Sequence, residues 1–168
     1  NVWDNDDQHP NYNYASIFRL AKSQKRPITT AIFSTWTDNR TVLLGAGLEQ
    51  TGNLSIDYVF DGYEKDTLRF PHDKAAQYIN QIDELVISKA DSVIREKAPD
   101  LSWIYLEYTD DIGHRKGTST EFDAGIRLLD TRLAKIAAAI SYRENNFDEN
   151  WLLVITTDHG RDSITGHN

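Results

Sequence analysis

The stretch that decides the fold is residues 101–140, "LSWIYLEYTDDIGHRKGTSTEFDAGIRLLDTRLAKIAAAI". Its first ten residues are dense in Ile, Leu, Trp and Tyr, the composition of a strand that fits a pleated, buried surface. The strand is predicted to run over 101–110. "TSTE" then opens a helix as a capping box, with Thr118 capping the backbone and Glu121 reaching back. From there Phe122, Ile126, Leu129, Leu133, Ile136 and Ile140 alternate spacings of four and three, which lays an apolar stripe along one helical face.

The same alternation extends outward in both directions. Strands are predicted over 27–36 ("PITTAIFSTW"), 55–62 ("SIDYVFDG") and 151–158 ("WLLVITTD"). Between them lie helical patterns. One covers 14–25, with Ile17, Leu20 and Ala21 at helical spacing. The other covers 73–98, with Ala75, Ile79, Ile82, Val86, Ala90, Val93 and Ile94 on one stripe and Pro99 as the stop. Strands separated by helices of this length need crossover connections, hence a mostly parallel sheet with helices on its faces. The expected fold is α/β, a three-layer α/β/α sandwich, as a single domain over residues 1–168. In such sheets ligands bind beyond the carboxyl ends of the strands, so the chemistry is sought there.

Two of the predicted strand ends carry a carboxylate beside an imidazole. "TDDIGHRKG" places Asp110 and His114 four apart, with Gly113 expected to let the backbone turn tightly, and "TDHG" gives Asp158 and His159. Two adjacent residues at the end of a strand can serve one site, which the alternating faces of a continuing strand forbid. Mixed carboxylate and imidazole donors suit zinc, manganese or iron. One such pair is ordinarily a cap or a solvated turn. Two pairs at one edge of a parallel sheet favour a metal site. Spacing alone does not choose between Asp110 and Asp111 as the ligand.

Other features read as structure. "DNDD" at 4–7 lacks the glycine and terminal acid of a calcium loop, and "GAGLEQTG" at 45–52 lacks the spacing of a dinucleotide fingerprint. His9 and His72 sit beside proline with no acidic partner at ligand spacing, as surface or core histidines do. The chain has 168 residues, 39% of them hydrophobic, with a net charge of -8 and a pI near 5.0. That balance argues against nucleic acid as a structural partner. No apolar run approaches the roughly 20 residues needed to span a membrane. There is no cysteine, which excludes disulfides and thiolate metal sites, and no methionine, which is expected of a fragment or a processed product.

Taken together, "TDDIGHRKG", the helix "STEFDAGIRLLDTRLAKI" and "ENWLLVITTDHG" resemble the alkaline phosphatase superfamily, in its nucleotide pyrophosphatase/phosphodiesterase branch. That branch pairs an Asp-x-x-Gly-His-x-x-Gly motif with a helix bearing an Asp, here Asp130, and a strand ending Asp-His-Gly. The resemblance implies two divalent metal ions, usually zinc, and assigns the ligand role to Asp110 rather than Asp111. By the same match Asp110 and His114 would hold one ion, Asp158 and His159 the other. A third histidine completes the first site in the family; His167 or a residue beyond Asn168 would supply it. "NVWD" resembles the segment where an Asn contacts the substrate phosphoryl group, which makes Asn1 a substrate-binding candidate. The family's Thr or Ser nucleophile, and a further metal-binding Asp, are expected ahead of Asn1, and no internal Thr matches that motif.

The function so implied is metal-dependent hydrolysis of phosphodiester or pyrophosphate bonds in a small-molecule phosphoester, in a periplasmic or extracellular setting. A sulfatase of the same superfamily and a non-catalytic metal-binding domain are the alternatives.

Overall fold

In a computed structural model of the chain, which describes residues 10–160 and residue 162, the elements alternate as the sequence implies. In chain order they are α1 (Ile17–Lys22), β1 (Thr30–Ser34), β2 (Tyr58–Phe60), α2 (Gln77–Lys97), β3 (Leu101–Tyr105), α3 (Tyr108–Lys116) and α4 (Thr120–Asn146). Short 3-10 and π turns fill the connections on either side of β2.

The three strands form one parallel sheet in the order β2-β1-β3, with Ala31 opposite Tyr58 on one side and Ser102 on the other. β1, "TAIFS", is buried at every position, as a central parallel strand covered on both faces must be. Its alternating side chains divide the core. Ala31 and Phe33 face α2 and α4, where Phe33 stacks on Phe60 at 5.2 Å and packs with Ile82, Val86, Ala90 and Ile136. Ile32 points the other way, against Phe18 of α1, Leu44 and Leu54. Helices thus lie on both sides of a parallel sheet, the expected three-layer α/β/α arrangement.

The stripe of α2 matches its reading. Ile79, Ile82, Val86, Ala90, Val93 and Ile94 are all buried, while Ala75 lies outside the helix and is exposed. Ala98 ends the helix in the left-handed region, its amide bonded to the carbonyls of Val93 and Ile94.

Several expectations need correction. Ile17 and Leu20 of α1 are exposed, and Phe18 is the residue that anchors it. The cap of α4 is Ser119, not Thr118: its hydroxyl accepts the Phe122 amide at 3.1 Å, which starts the helix one residue later and dissolves the reciprocal box. The buried face of α4 is also rotated, through Gly125, Arg132, Ile136 and Ala139, leaving Ile126 exposed. At Gly125 a Cβ would come within 2.8 Å of Ile112 Cδ1, so the missing side chain lets α4 lie close against α3.

The strand expected over 101–110 ends at Tyr105, and Asp110 and His114 are one turn apart on a helix. Gly113 is a buried helical residue, not a turn. The segment 151–158 forms no ladder: Leu152, Val154 and Ile155 are exposed, and Trp151 is its anchor, through bonds to Glu144 and Glu149. Apolar β-formers become a strand when a neighbouring strand pairs with them, and among the described residues none pairs with 151–158.

Candidate metal centre

The site is built where β3 gives way to α3. Asp110 and Asp111 fall in the first turn of α3, where the amino-terminal end of the helix dipole favours negative charge, and His114 falls in its last turn. The i to i+4 relation then puts both donors on one face. His114 Nε2 lies 3.3 Å from Asp110 Oδ2. Asp111 is engaged elsewhere, with Arg115 at 2.6 Å, which separates it from the pair that spacing alone left undecided.

The segment after Trp151 brings the second pair to the same place. His159 Nε2 stands 3.6 Å from Asp110 Oδ1 and 3.6 Å from Asp158 Oδ1. One imidazole therefore faces both carboxylates, and the two predicted pairs are linked through Asp110 and His159 beside the carboxyl edge of the sheet. The loss of the fourth strand does not prevent this.

The Nδ1 of His159 lies 2.8 Å from the carbonyl oxygen of Gly160. A carbonyl can only accept, so Nδ1 carries the hydrogen and Nε2 is the atom turned toward the acids. Two carboxylates and a ring nitrogen supply the mixed oxygen and nitrogen donors that suit a divalent cation.

Donor chemistry and spacing suit a metal. Two ligands on one tetrahedral zinc, each about 2.1 Å from it, lie roughly 3.4 Å apart, close to the separations observed. Among the described residues no group of three or more such side chains is arranged to hold an ion. The donors meet as pairs joined through Asp110 rather than as a closed cage. Asn1 and His167 lie outside the described residues.

Two further acids shape the site. Glu107, the N-cap of α3, turns its side chain back to accept the hydroxyl of Tyr105 and the indole of Trp36. Burial pushes its carboxyl up to about 7; those hydrogen bonds oppose the rise, and the nearby carboxylates of Asp110 and Asp83 add to it. Burial, then the charge on Glu107, likewise raises the Tyr105 phenol, with Asp158 and Asp110 contributing. The second acid, Asp83 on α2, is 2% exposed and accepts the Thr35 hydroxyl at 2.6 Å and the amides of Glu107 and Tyr108 at 3.1 and 3.0 Å. Sequence reasoning missed both, though Asp83 left a trace as a charged residue on the apolar stripe of α2.

The edge is open to solvent, with His114, His159 and Asp158 all substantially exposed. No helix among the described residues is long and apolar enough to cross a membrane.

The molecule is thus an open parallel α/β fold with carboxylate and imidazole side chains paired at its carboxyl edge, an architecture that serves many functions. The sequence profile of the type I phosphodiesterase/nucleotide pyrophosphatase family matches residues 3–168, so the chain belongs to that family of phosphoester hydrolases. Neither a curated protein nor a solved structure matches the chain significantly.

Proposed function

We propose that the complete protein hydrolyses phosphodiester or pyrophosphate bonds with two divalent metal ions, zinc being the family's usual choice. The observation that carries this reading is the meeting of Asp110, His114, Asp158 and His159 at one sheet edge, with His159 3.6 Å from a carboxylate oxygen of each pair. Asp110 and His114 would hold one ion, Asp158 and His159 the other.

Bound ions would neutralise the nonbridging oxygens, lower the pKa of the attacking hydroxyl and stabilise the leaving oxygen of an in-line displacement. The residues of this chain contribute the framework for that chemistry. The aspartates supply anionic oxygens for hard cations, and the neutral imidazoles limit the negative charge that an anionic substrate meets. Gly160 holds the His159 ring in the tautomer whose Nε2 faces the acids. The exposed edge admits a small phosphoester, and Asn1 is proposed to contact its phosphoryl oxygens. The attacking Thr or Ser is proposed to come from a segment ahead of Asn1.

The test is hydrolysis of an aryl phosphodiester, an aryl phosphomonoester and an aryl sulfate by the complete protein with zinc, followed by phenolate release. Preference for the diester is expected, with no turnover by residues 1–168 alone. Asp158→Ala should lower kcat/KM by on the order of a thousandfold, because it strips a ligand from one ion. Preference for the sulfate would move the protein to the sulfatases, and an unchanged rate in Asp158→Ala would make the paired residues structural.

A further inference from the structure

We propose that Asp83 is the positioning residue of this centre, fixing from a neighbouring helix the turn that presents Asp110 and His114; the proposal rests on reading those two as metal ligands. The first amides of a helix have no partner within it and need an acceptor from outside. In α3 the N-cap residue cannot provide one, because the Glu107 side chain makes no capping bond and is committed to Tyr105 and Trp36. Asp83 does the capping instead. Its Oδ1 accepts the Glu107 amide at 3.1 Å and its Oδ2 accepts the Tyr108 amide at 3.0 Å.

The same carboxylate is itself held in place. The Thr35 hydroxyl, just past the carboxyl end of β1, donates to Oδ1 at 2.6 Å, and Arg132 Nη1 of α4 stands 3.7 Å from Oδ2. Arg132 is fixed in turn by the Asn80 carbonyl at 2.7 Å and by Glu84 at 3.2 Å. One buried carboxyl thereby ties β1, α2 and α4 to the start of α3.

The link to the centre is a single hydrogen bond further on. The carbonyl of Glu107 accepts the amide of Asp110 at 3.0 Å. Any shift of Glu107 is passed to Asp110, and through the helical turn to His114. An ordinary Ser or Asp at position 107 would cap α3 locally and leave its direction to packing. Asp83 sets both the start of the helix and its orientation relative to the sheet edge.

The experiment compares Asp83→Asn with Ile87→Val in the complete protein. Ile87 is buried in the core cluster one turn further along α2, and its variant serves as the control for lost stability. Amide hydrogen exchange is read on the metal-free protein, and affinity is read by Co2+ absorption. Asp83→Asn should quicken exchange at Glu107, Tyr108 and Asp110 about tenfold beyond Ile87→Val. It should also weaken Co2+ binding about tenfold, as loss of a supporting contact around metal ligands does. Exchange no faster than in Ile87→Val would overturn the proposal, and so would faster exchange with unchanged Co2+ affinity. If Asp83→Asn fails to fold, Thr35→Val, which removes one donor and keeps the carboxyl, is read by the same two criteria. Failure of the unmodified protein to bind Co2+ would refute the metal reading, while the exchange data still decide whether Asp83 anchors α3.

Discussion

The two ends of the sheet both carry acids and treat them in opposite ways. At the amino end, Asp57 accepts the amide and hydroxyl of Thr30 at 2.7 and 2.9 Å and pairs with Lys22. Asp100 does the same for Thr29 at 2.8 and 2.9 Å and pairs with Arg26 at 2.9 Å. Burial works against ionised Asp57, but the bonds from Lys22 and Thr30 outweigh it and hold its carboxyl below the usual range. The Thr29 amide is the main cause holding Asp100 low.

At the carboxyl end Glu107 rises to about 7 and the Tyr105 phenol is raised, while Asp110 and Asp158 share an imidazole. Acids with a full set of protein donors lock strand ends together. At the carboxyl end the acids lie close to one another and to imidazoles, the donor mixture on which the proposed metal chemistry rests.

The comparison can be broken first at the amino end. Asp57→Ala leaves the buried Thr30 amide without its acceptor, which should cost about 1–3 kcal/mol in denaturant unfolding and leave zinc affinity unchanged. A drop in zinc affinity would mean that the two ends are not separable.

Glu107→Gln sharpens the other side. A carboxyl raised to about 7 in the folded chain, against 4.5 as its ordinary value, binds more protons folded than unfolded across that interval. Its contribution to stability is complete below about pH 4.5 and is lost as pH rises through about 7. The metal-free Gln variant, which cannot ionise, should therefore gain stability relative to the parent between pH 5 and pH 8. A difference that stays flat with pH would show that Glu107 is not a raised carboxyl.

The smallest effect belongs to the segment before the second pair. Leu152 is 86% exposed, so Leu152→Ser should change unfolding stability by no more than about 0.5 kcal/mol. A loss of several times that would place Leu152 in a packed strand after all.

Those regions also mark what the sequence could disclose. The buried face of α2 and the full burial of β1 follow from periodicity and composition, which are local properties. The face of α4 was misplaced because Arg132 is buried for its partners Asp83, Glu84 and Asn80, and no apolar pattern announces an ion-pair partner some 50 positions away. α3 itself was not expected, the strand being carried on to residue 110, since the acceptor for its first amides comes from another helix. Residues 151–158 have strand composition, but a strand is a property of a pair.

In the candidate site, the approach of Asp110 to His114 and of Asp158 to His159 could be expected from residue type and order, which survive local rearrangement, and their role as ligands belongs to the proposed function. Glu107 and Asp83 were not legible, because their roles come from burial and from contacts that the fold alone creates.

The most direct measurement is zinc content and affinity of the complete protein against Asp110→Asn, the residue shared by the two imidazole contacts. The account predicts two tightly bound zinc ions per molecule in the parent and no more than one in the variant, with phosphodiester hydrolysis lost in parallel. Two ions held with unchanged affinity after Asp110→Asn, or none in the parent, would contradict it.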